Sequence, residues 1–464
     1  MSTDDAGTQE RLPDGFTVRL DEKVRRLDDG AALLGGSPTR LLRLAPKAVD
    51  LLAGGELRVR DAVTAGLARR LLDAGIAHPV PRSDDTVTGS AVTVVIPVKD
   101  NQAGVDRLLA TLGDLPVIVV DDGSAVPVRA PGAVVLRRPE SGGPAAARNL
   151  GMAHATTEFV AFLDSDVVPR PGWLAVASAH FADPTVALVA PRIVGMGDPR
   201  GWLARYEELR SSLDLGPRPG PVESRSRIAY VPSAAMLVRR EMVGQVAFDE
   251  AMTVAEDVDL CWRLREHGWR LRYEPAAQVA HEHRVVFRKW FGRKVFYGQG
   301  AAPLAERHPG RVPPMVLSPW SAGAAALLST GTRTGAVGAA GVSTAAGVRL
   351  TKTLRGLRHP ARSSARLIAM GLGAAAWQFA GAACRHYWPV AVVAACCSRR
   401  ARRTLVAVAV AEGVADWVTH DGPGRMDPVR YVVAKRLDDV AYGTGLWVGV
   451  VRARSAAALR PIIE

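Results

Sequence analysis

Between residues 91 and 310, the chain alternates apolar runs with segments of helical periodicity. The runs at 91–98, 115–124 and 133–138 contain few polar positions, and a fourth begins at Glu158 in "EFVAFLDSD". Continuous apolar runs of this length are typical of strands that are covered on both faces. Because helical segments lie between the runs, the pattern predicts an α/β domain built on a parallel sheet.

A different pattern precedes this domain. The segment "FTVRLDEKVRRLDDGAALLGG" predicts short strands around a turn at Asp29-Gly30, and helical spacing at 45–55 and 59–76 comes before glycines that end helices. Short strands with small helices predict a winged-helix-like module. The expected boundaries are a disordered tail at 1–14, the module at 15–82, a polar linker at 83–90 and the α/β domain at 91–310.

The remaining chain, 311–464, is rich in Ala and Gly and is expected to be helical. Residues 313–332 and 367–384 contain no charged side chain, and their lengths approach the roughly 20 residues that cross a bilayer. Ala, Gly, Ser and Thr dominate both stretches, however, and they insert weakly. Two interpretations stay open here: buried helices, or membrane-associated helices with a basic rim such as "RRARR" at 399–403.

Charge and cysteine content narrow the function classes. The net charge of +13 over 464 residues favours anionic partners, which include nucleic acid, a membrane surface or phosphorylated substrates. The four cysteines have no CxxC spacing, which argues against structural zinc and a disulfide framework and favours a reducing compartment. The polar N-terminal segment does not resemble a signal peptide, so we expect a cytoplasmic protein.

Two carboxylates, Asp164 and Asp166, follow the fourth apolar run one residue apart. Alternate residues of an extended chain point to the same side, so these acids are expected to converge and repel each other. A divalent cation such as Mg²⁺ or Mn²⁺ offsets that repulsion, and it shares its coordination with substrate phosphates. The alternative is a solvated turn at the end of a strand.

Three further features accompany this pair. Asp121-Asp122 ends the second run, at the sheet edge where α/β domains bind nucleotides, although a plain Asp-Gly turn is the alternative. A Gly-rich turn opens the helix that carries Arg148, an arrangement suited to phosphate oxygens. Glu256-Asp257 begins a helix that stops at Gly268; the pair is either N-terminal capping or the position of a general base.

Taken in order, these motifs resemble the family-2 glycosyltransferases of the GT-A fold. The pieces that carry the resemblance are "VTVVIPVKDN", "VIVVDDGS", "GGPAAARNLG", "FLDSD" and "AEDVDLCWRLREHGW". The resemblance implies a Rossmann-like, mostly parallel central domain. It departs from the family pattern at Lys99 and Asp100, which leaves the base and ribose contacts there open.

The resemblance also assigns roles to residues. It implies catalysis by Asp257 with Glu256; nucleotide-sugar binding by Pro97, Asp121, Asp122, Arg148 and Asp164; and a metal, Mn²⁺ or Mg²⁺, held by Asp164, Asp166 and His281. In the implied chemistry, Asp257 deprotonates an acceptor hydroxyl, which displaces the diphosphate with inversion. A UDP-sugar is the implied donor, and we expect the sugar to be glucose.

The flanking regions extend the resemblance. The N-terminal module is similar to peptide-binding winged-helix domains of peptide-maturation systems. Together with the C-terminal "LDDVAYGTGLWVGVVRARS", the chain resembles the glycosyltransferases of mycofactocin systems. The implied acceptor is a peptide-derived redox cofactor or its precursor, extended as a β-linked oligosaccharide at the inner face of the cell membrane.

Rival functions remain at this point. A transferase acting on a polyprenyl phosphate or a cell-envelope glycan fits the same motifs. A winged-helix nucleic-acid-binding protein fits poorly, because Lys and Arg are spread along the chain and the segment at 59–75 mixes both signs. We therefore expect no nucleic-acid partner. A catalytically dead scaffold is disfavoured because every expected acid is present.

Overall fold

The computed structural model describes residues 11–82, 85–356, 358–420 and 426–464. The chain forms two compact units: one runs to Asp198 and continues over Arg210–His283, and the other comprises Pro199–Leu209 and Arg284–Glu464. The predicted tail at 1–14 lies outside the described residues up to residue 10, as do residues 83 and 84 of the predicted linker.

The first unit begins with a small module of strands and two helices. Its elements are β1 (Thr17–Leu20), β2 (Arg25–Leu27), β3 (Ala32–Gly35), β4 (Arg40–Arg43), α1 (Pro46–Leu51), β5 (Glu56–Arg58), α2 (Ala62–Asp73) and β6 (Ala77–Pro79). The strands form two antiparallel sheets, in the orders β5-β1-β6 and β2-β3-β4. The predicted hairpin around Asp29 and both predicted helices are confirmed, whereas the winged-helix assignment stays a prediction.

Ion pairs attach this module to the rest of the first unit. Arg69 on α2 donates two hydrogen bonds to the Asp183 carboxylate, at 2.5 and 2.8 Å. Asp73, at the end of the same helix, accepts two more of 2.8 and 2.9 Å from Arg270. Paired, two-pronged contacts of this kind fix orientation as well as distance, so the face of α2 that carries these side chains is already occupied.

The α/β part of the first unit follows. Its elements are β7 (Val92–Val98), α3 (Gln102–Leu109), β8 (Val117–Asp122), β9 (Val134–Arg138), α4 (Gly143–His154), β10 (Phe159–Leu163), β11 (Val167–Pro169), α5 (Trp173–Ser178), β12 (Val186–Gly195), α6 (Trp202–Arg210), β13 (Gly220–Pro221), β14 (Ala235–Arg239), α7 (Arg240–Gly244), α8 (Glu256–Glu266) and β15 (Arg270–His281). Most of α6 belongs to the second unit.

These strands form a nine-stranded sheet in the order β11-β15-β12-β14-β10-β7-β8-β9, with β13 added beside β15. Strands β10, β7, β8 and β9 are parallel, and β14 runs antiparallel to both its neighbours. Successive strands move outward from β7 to β9, and then β10 returns to the other side of β7. The carboxyl ends of β7 and β10 therefore meet at a reversal of strand order, which is where open α/β sheets bind ligands.

Burial explains why the apolar runs predicted these strands. All seven residues of β7 and all five of β10 are buried. Helix α4 lies very close to the sheet, because a Cβ on Gly151 would stand 2.3 Å from the Val95 side chain. The predicted α/β class is confirmed. The sheet is mostly parallel, with β14 antiparallel to its neighbours in the interior and with β11 and β13 antiparallel to β15.

The second unit is helical, as predicted for the C-terminal region. Beyond α6 it contains α9 (Phe287–Gln299), α10 (Ala301–Arg307), β16 (Val316–Leu317), α11 (Pro319–Ser329), α12 (Arg333–Thr353), α13 (Pro360–Arg385), α14 (Trp388–Cys397), α15 (Arg399–Thr419), α16 (Pro428–Ala453) and β17 (Ile462–Ile463).

The boundary between the units differs from the predicted one at 310. Helix α9 packs backbone to backbone on α16, since a Cβ on Gly298 would stand 2.1 Å from the Tyr442 carbonyl oxygen and one on Gly445 would stand 1.9 Å from that of Val295. Helix α10 adds Ala301 to the same contact region. Contacts between residues so distant in sequence carry no local signal, so the sequence pattern could not assign α9 and α10 to the helical unit.

Candidate active site

The reversal of strand order is held together by short polar contacts. The Asn101 amide, just after β7, donates to the Ser165 hydroxyl at 3.0 Å, and Ser165 lies between the two predicted carboxylates after β10. A Cβ on Gly104 would stand 2.2 Å from the Ser165 carbonyl oxygen. The turn that carries Asp164 and Asp166 therefore rests directly on the first turn of α3, at the position where the topology predicts a ligand.

Asp164 is anchored from two sides. Its N–H donates to the Ala234 carbonyl at 2.9 Å, and its carboxylate accepts a 2.6 Å bond from Arg148. Burial raises the pKa of Asp164, the Arg148 charge opposes that rise, and the charge of Asp166 adds to it. The repulsion predicted between the two acids is thus present in the folded protein, and Arg148 offsets part of it.

Asp166 and His281 come together through strand pairing. Because β11 runs antiparallel to β15 with Val167 opposite His281, the imidazole Nε2 stands 3.4 Å from the Asp166 carboxylate. The His281 ring is buried, and its Nδ1 has no hydrogen-bond partner. The structure thus joins two of the three predicted metal ligands, while the third, Asp164, is bonded to Arg148.

Among the described residues, no group of three or more His, Cys, Asp or Glu side chains is placed to hold a metal ion. A carboxylate with one imidazole still fits a divalent ion that takes its remaining ligands from a diphosphate, as Mg²⁺ and Mn²⁺ sites commonly do. Asp166 and His281 are the residues that would hold it.

Arg148 lies at the centre of the site and is almost fully buried, with 2 % of its side chain exposed. Besides Asp164 it bonds Glu256 at 3.1 Å. The guanidinium therefore ties the end of β10 to the start of α8. Its contacts in this structure are protein carboxylates, so the predicted role at the nucleotide stays a prediction.

Asp257 is positioned by backbone donors at the start of α8. Its carboxylate accepts N–H bonds from Ser233 at 3.1 Å and from Val258 at 2.8 Å. Burial, followed by repulsion from Glu256, raises its pKa to about 7. A carboxylate that titrates near neutrality is well matched to general-base catalysis at physiological pH. Ser233 neighbours Ala234, which holds Asp164, so the two acids are fixed by one short segment.

Asp121 and Asp122 are occupied by internal hydrogen bonds. Asp121 accepts from two backbone N–H groups and from Arg137 at 2.6 Å. Asp122 accepts from Arg138 at 2.8 Å, and it also accepts two N–H bonds from the Gly-rich turn before α4. Both carboxylates consequently shape the loops at the sheet edge, and direct contact with a base stays a prediction.

A cleft of about 660 Å³ opens beside the ends of β7 and β8. It is lined by Asp100 through Gln102 on one side and by residues 125–129 on the other. This volume is within the range of small-molecule sites. Pro97 is buried in β7 opposite Val120, close in sequence to the cleft wall. Asp100, at φ 54°, accepts a hydrogen bond from the Ala125 N–H at 2.7 Å and so links the two walls of the cleft.

Sequence reasoning missed the residues that brace this site. Asn101, Gly104, Ser165 and Ser233 act through long-range contacts, and none of them has a distinctive local pattern in the sequence. The only available signal was the polar "KDN" after the first strand, where the family pattern is broken.

The profile described as Glycosyl transferase family 2 matches residues 93–246. The pre-mycofactocin glycosyltransferase of Mycobacterium tuberculosis (strain ATCC 25618 / H37Rv) is 53% identical over 470 residues, covering 98% of this chain and 100% of that protein. The chain belongs to the pre-mycofactocin glycosyltransferase family. It is therefore a family-2 glycosyltransferase of the mycofactocin pathway, and the predicted GT-A class is confirmed.

Other relatives and solved structures are less similar to this chain in sequence and match less of it. A human protein described as probable polypeptide N-acetylgalactosaminyltransferase 8 is 26% identical over 169 residues, covering 32% of this chain and 26% of its own length. The mannosyltransferase PcManGT from Pyrobaculum calidifontis, solved with GDP-Man and Mn²⁺, is 20% identical and has a TM-score of 0.36, covering 64% of this chain and 88% of its own. The fold assignment rests on the sheet topology and the full-length relative.

Proposed function

We propose that this glycosyltransferase moves glucose from UDP-glucose onto a peptide-derived acceptor of the mycofactocin pathway, with inversion at the anomeric carbon. The observation that carries the proposal is the position of Asp257. Its carboxylate has a pKa raised to about 7 and is held by the same segment that holds Asp164 at the reversal of strand order.

The proposed reaction is a single displacement. Asp257 takes the proton of an acceptor hydroxyl while that oxygen forms a bond to the anomeric carbon. The bond from that carbon to the diphosphate oxygen breaks, and UDP leaves with the electron pair. Since attack comes from the face opposite the leaving group, an α-linked donor yields a β-glycoside. No second carboxylate is needed as a nucleophile in this route.

The leaving diphosphate needs compensation of its charge. A divalent cation, Mn²⁺ or Mg²⁺, held by Asp166 and His281 would supply that compensation. Within the protein, Arg148 keeps Asp164 in place beside them. The cleft between residues 100–102 and 125–129 has the size for the nucleoside part of the donor.

The acceptor is proposed from the relative's name, which describes transfer to pre-mycofactocin. Full coverage of that protein at 53% identity supports a shared acceptor class. A mycofactocin precursor that carries a free hydroxyl is therefore the first acceptor to test, with growth of a β-linked oligosaccharide as the expected product.

The decisive experiment measures transfer from radiolabelled UDP-glucose to the mycofactocin precursor. We compare the wild type with Asp257→Asn and with Glu266→Gln, a control at the exposed end of the same helix α8. Loss of the base should lower turnover by about 10²–10⁴-fold, the range typical of general-base catalysis, and the control should retain it. Normal turnover in Asp257→Asn contradicts the mechanism.

Two further arms test the ion and the acceptor. Chelation followed by addition of Mn²⁺ should abolish and then restore transfer in the wild type, and Asp166→Ala should need more Mn²⁺ for half-maximal rate. Label that enters organic-extractable lipid instead of the precursor would contradict the acceptor and favour a polyprenyl phosphate.

A further inference from the structure

The helices of the second unit carry their large apolar side chains outward. On α15, Val406, Val410, Val414 and Val418 recur every fourth residue and are 38–58% exposed. This spacing places them in one stripe along the helix. On α13, Trp377 and Phe379 are also exposed. Monomeric water-soluble proteins rarely expose so continuous an apolar surface.

The interior of the same unit is charged. Lys435 on α16 is buried and pairs with Glu412 on α15 at 2.8 Å, and Arg436 bonds the same glutamate. Nearby, Lys294 on α9 contacts Asp438 at 3.4 Å. These ion pairs occupy the positions where a water-soluble bundle buries aliphatic side chains.

Helix α15 alone shows both features, with charged side chains on its inner side and apolar side chains on its outer side. Glu412 and Asp416 are buried on its inner side, whereas the valines two residues away, Val410, Val414 and Val418, face outward. In water this arrangement is unfavourable, because burying charges and exposing valines both cost free energy. In a bilayer the same arrangement is favourable, since ionisable residues there face the bundle interior and pair with one another.

Helix α13 adds length and composition. It runs for 26 residues, has a window of mean hydropathy 1.5, and only 11% of that window is buried. A core helix of the same composition would be mostly buried. Six exposed cations and no acid lie within residues 349–366, around its first turns. Basic side chains beside an apolar surface complement anionic lipid headgroups.

We propose that the second unit is embedded in a lipid bilayer, with the outer faces of α13 and α15 against acyl chains and the basic segment 349–366 against anionic headgroups. This goes beyond the transferase reaction and does not depend on its donor or acceptor. Bilayer contact accounts for the outward valines, the inward ion pairs and the exposed basic segment together, whereas docking of a second copy accounts only for the first.

The test is flotation of the full chain, purified in detergent, after reconstitution with phosphatidylcholine vesicles containing phosphatidylglycerol. The wild type should float with the vesicles and resist extraction by alkaline carbonate. The variant Val410→Asp/Val414→Asp should be recovered largely in the soluble fraction. A matched control, Val63→Asp/Val134→Asp, changes exposed valines of the first unit and should float like the wild type.

A second readout separates lipid contact from misfolding and from self-association. Brominated acyl chains should quench the fluorescence of the wild type. The quenched fraction should fall in Trp377→Phe, which removes one of the tryptophans of the second unit, but should stay unchanged in Trp269→Phe, a control in the first unit. A detergent-free, soluble oligomer that does not float, with no quenching assigned to Trp377, overturns the proposal and favours a second copy as the occupant.

Discussion

Asp257 illustrates how local surroundings set the chemistry of one residue. Two backbone N–H groups fix its carboxylate, while burial and the neighbouring Glu256 oppose its negative charge. The positive charge of Arg148 opposes this rise in the pKa of Asp257 only partly. The result is an acid that still holds its proton at mildly acidic pH.

This predicts the acid limb of the pH–rate profile. A base must be unprotonated, and the pKa of Asp257 is raised to about 7, so log(kcat/KM) should fall as pH drops below 7 and level off above it. In Glu256→Gln one source of repulsion is removed, and the limb should move to lower pH. The Glu266→Gln profile serves as reference. A limb at the same pH in Glu256→Gln would show that another group titrates.

Arg148 carries a second prediction at this scale. Replacing a buried cation that pairs with two carboxylates leaves them uncompensated, so Arg148→Met should lower the free energy of unfolding by about 3–5 kcal/mol. Arg148→Met/Glu256→Gln should recover part of the loss. Chemical denaturation in detergent measures both values; equal losses in the single and double variants would contradict the bridging role.

At the scale of elements, the contact between α3 and the turn after β10 governs site geometry. A glycine is required at position 104 because the Ser165 backbone lies too close for a side chain. The backbone conformation of Gly104 is ordinary, so only the missing Cβ lets Ser165 approach. The sheet places the two segments side by side, and the glycine sets how closely they pack.

Gly104→Ala should therefore displace the turn that carries Asp164 and Asp166. A shift of about 1 Å in catalytic groups costs on the order of 10²-fold in rate, so turnover of UDP-glucose should fall by that order while the circular dichroism spectrum stays unchanged. Gly66→Ala, on α2 with open space around it, is the control and should remain active. Equal activity of both variants would contradict the role of this contact.

The elements also show what the sequence pattern was able to predict. Strands β7, β8 and β10 were predicted because cover on both faces imposes continuous apolar runs. Strand β9 was predicted from a similar run, although Val134 and Val135 are exposed in the structure. Helices α4 and α8 were predicted because glycines and acids mark their ends. The antiparallel direction of β14 could not be predicted from the sequence, since a buried antiparallel strand has the same apolar run as a parallel one. The bond from Arg148 to Glu256 spans 108 residues and has no local signature.

For the molecule as a whole, the N-terminal module is a fixed part of the catalytic unit. The pairs Arg69–Asp183 and Asp73–Arg270 join α2 to the α/β part. A role of the module in recognising a peptide thus requires surfaces other than this face of α2, such as the edge strands of its two sheets.

Arg69→Met should loosen that attachment. Asp183 is almost fully buried, and loss of its partner should cost about 3–5 kcal/mol in unfolding free energy. Limited proteolysis should then cut sooner within residues 85–90. Arg70→Met, the exposed neighbour on the same helix, should leave both measurements unchanged. Unaltered proteolysis in Arg69→Met would show that other contacts hold the module.

The chain enters the second unit twice, first as Pro199–Leu209 and then from Arg284 onward. Leu203 and Tyr206 of the first passage are buried beside Trp290 and Tyr431 of the second. No single cut can therefore free the catalytic unit: a fragment ending at His283 would carry Leu203 and Tyr206 stripped of their partners. Chimeras that exchange catalytic units between relatives need a compatible α6 as well as a compatible C-terminal bundle. The two parts must therefore be exchanged together.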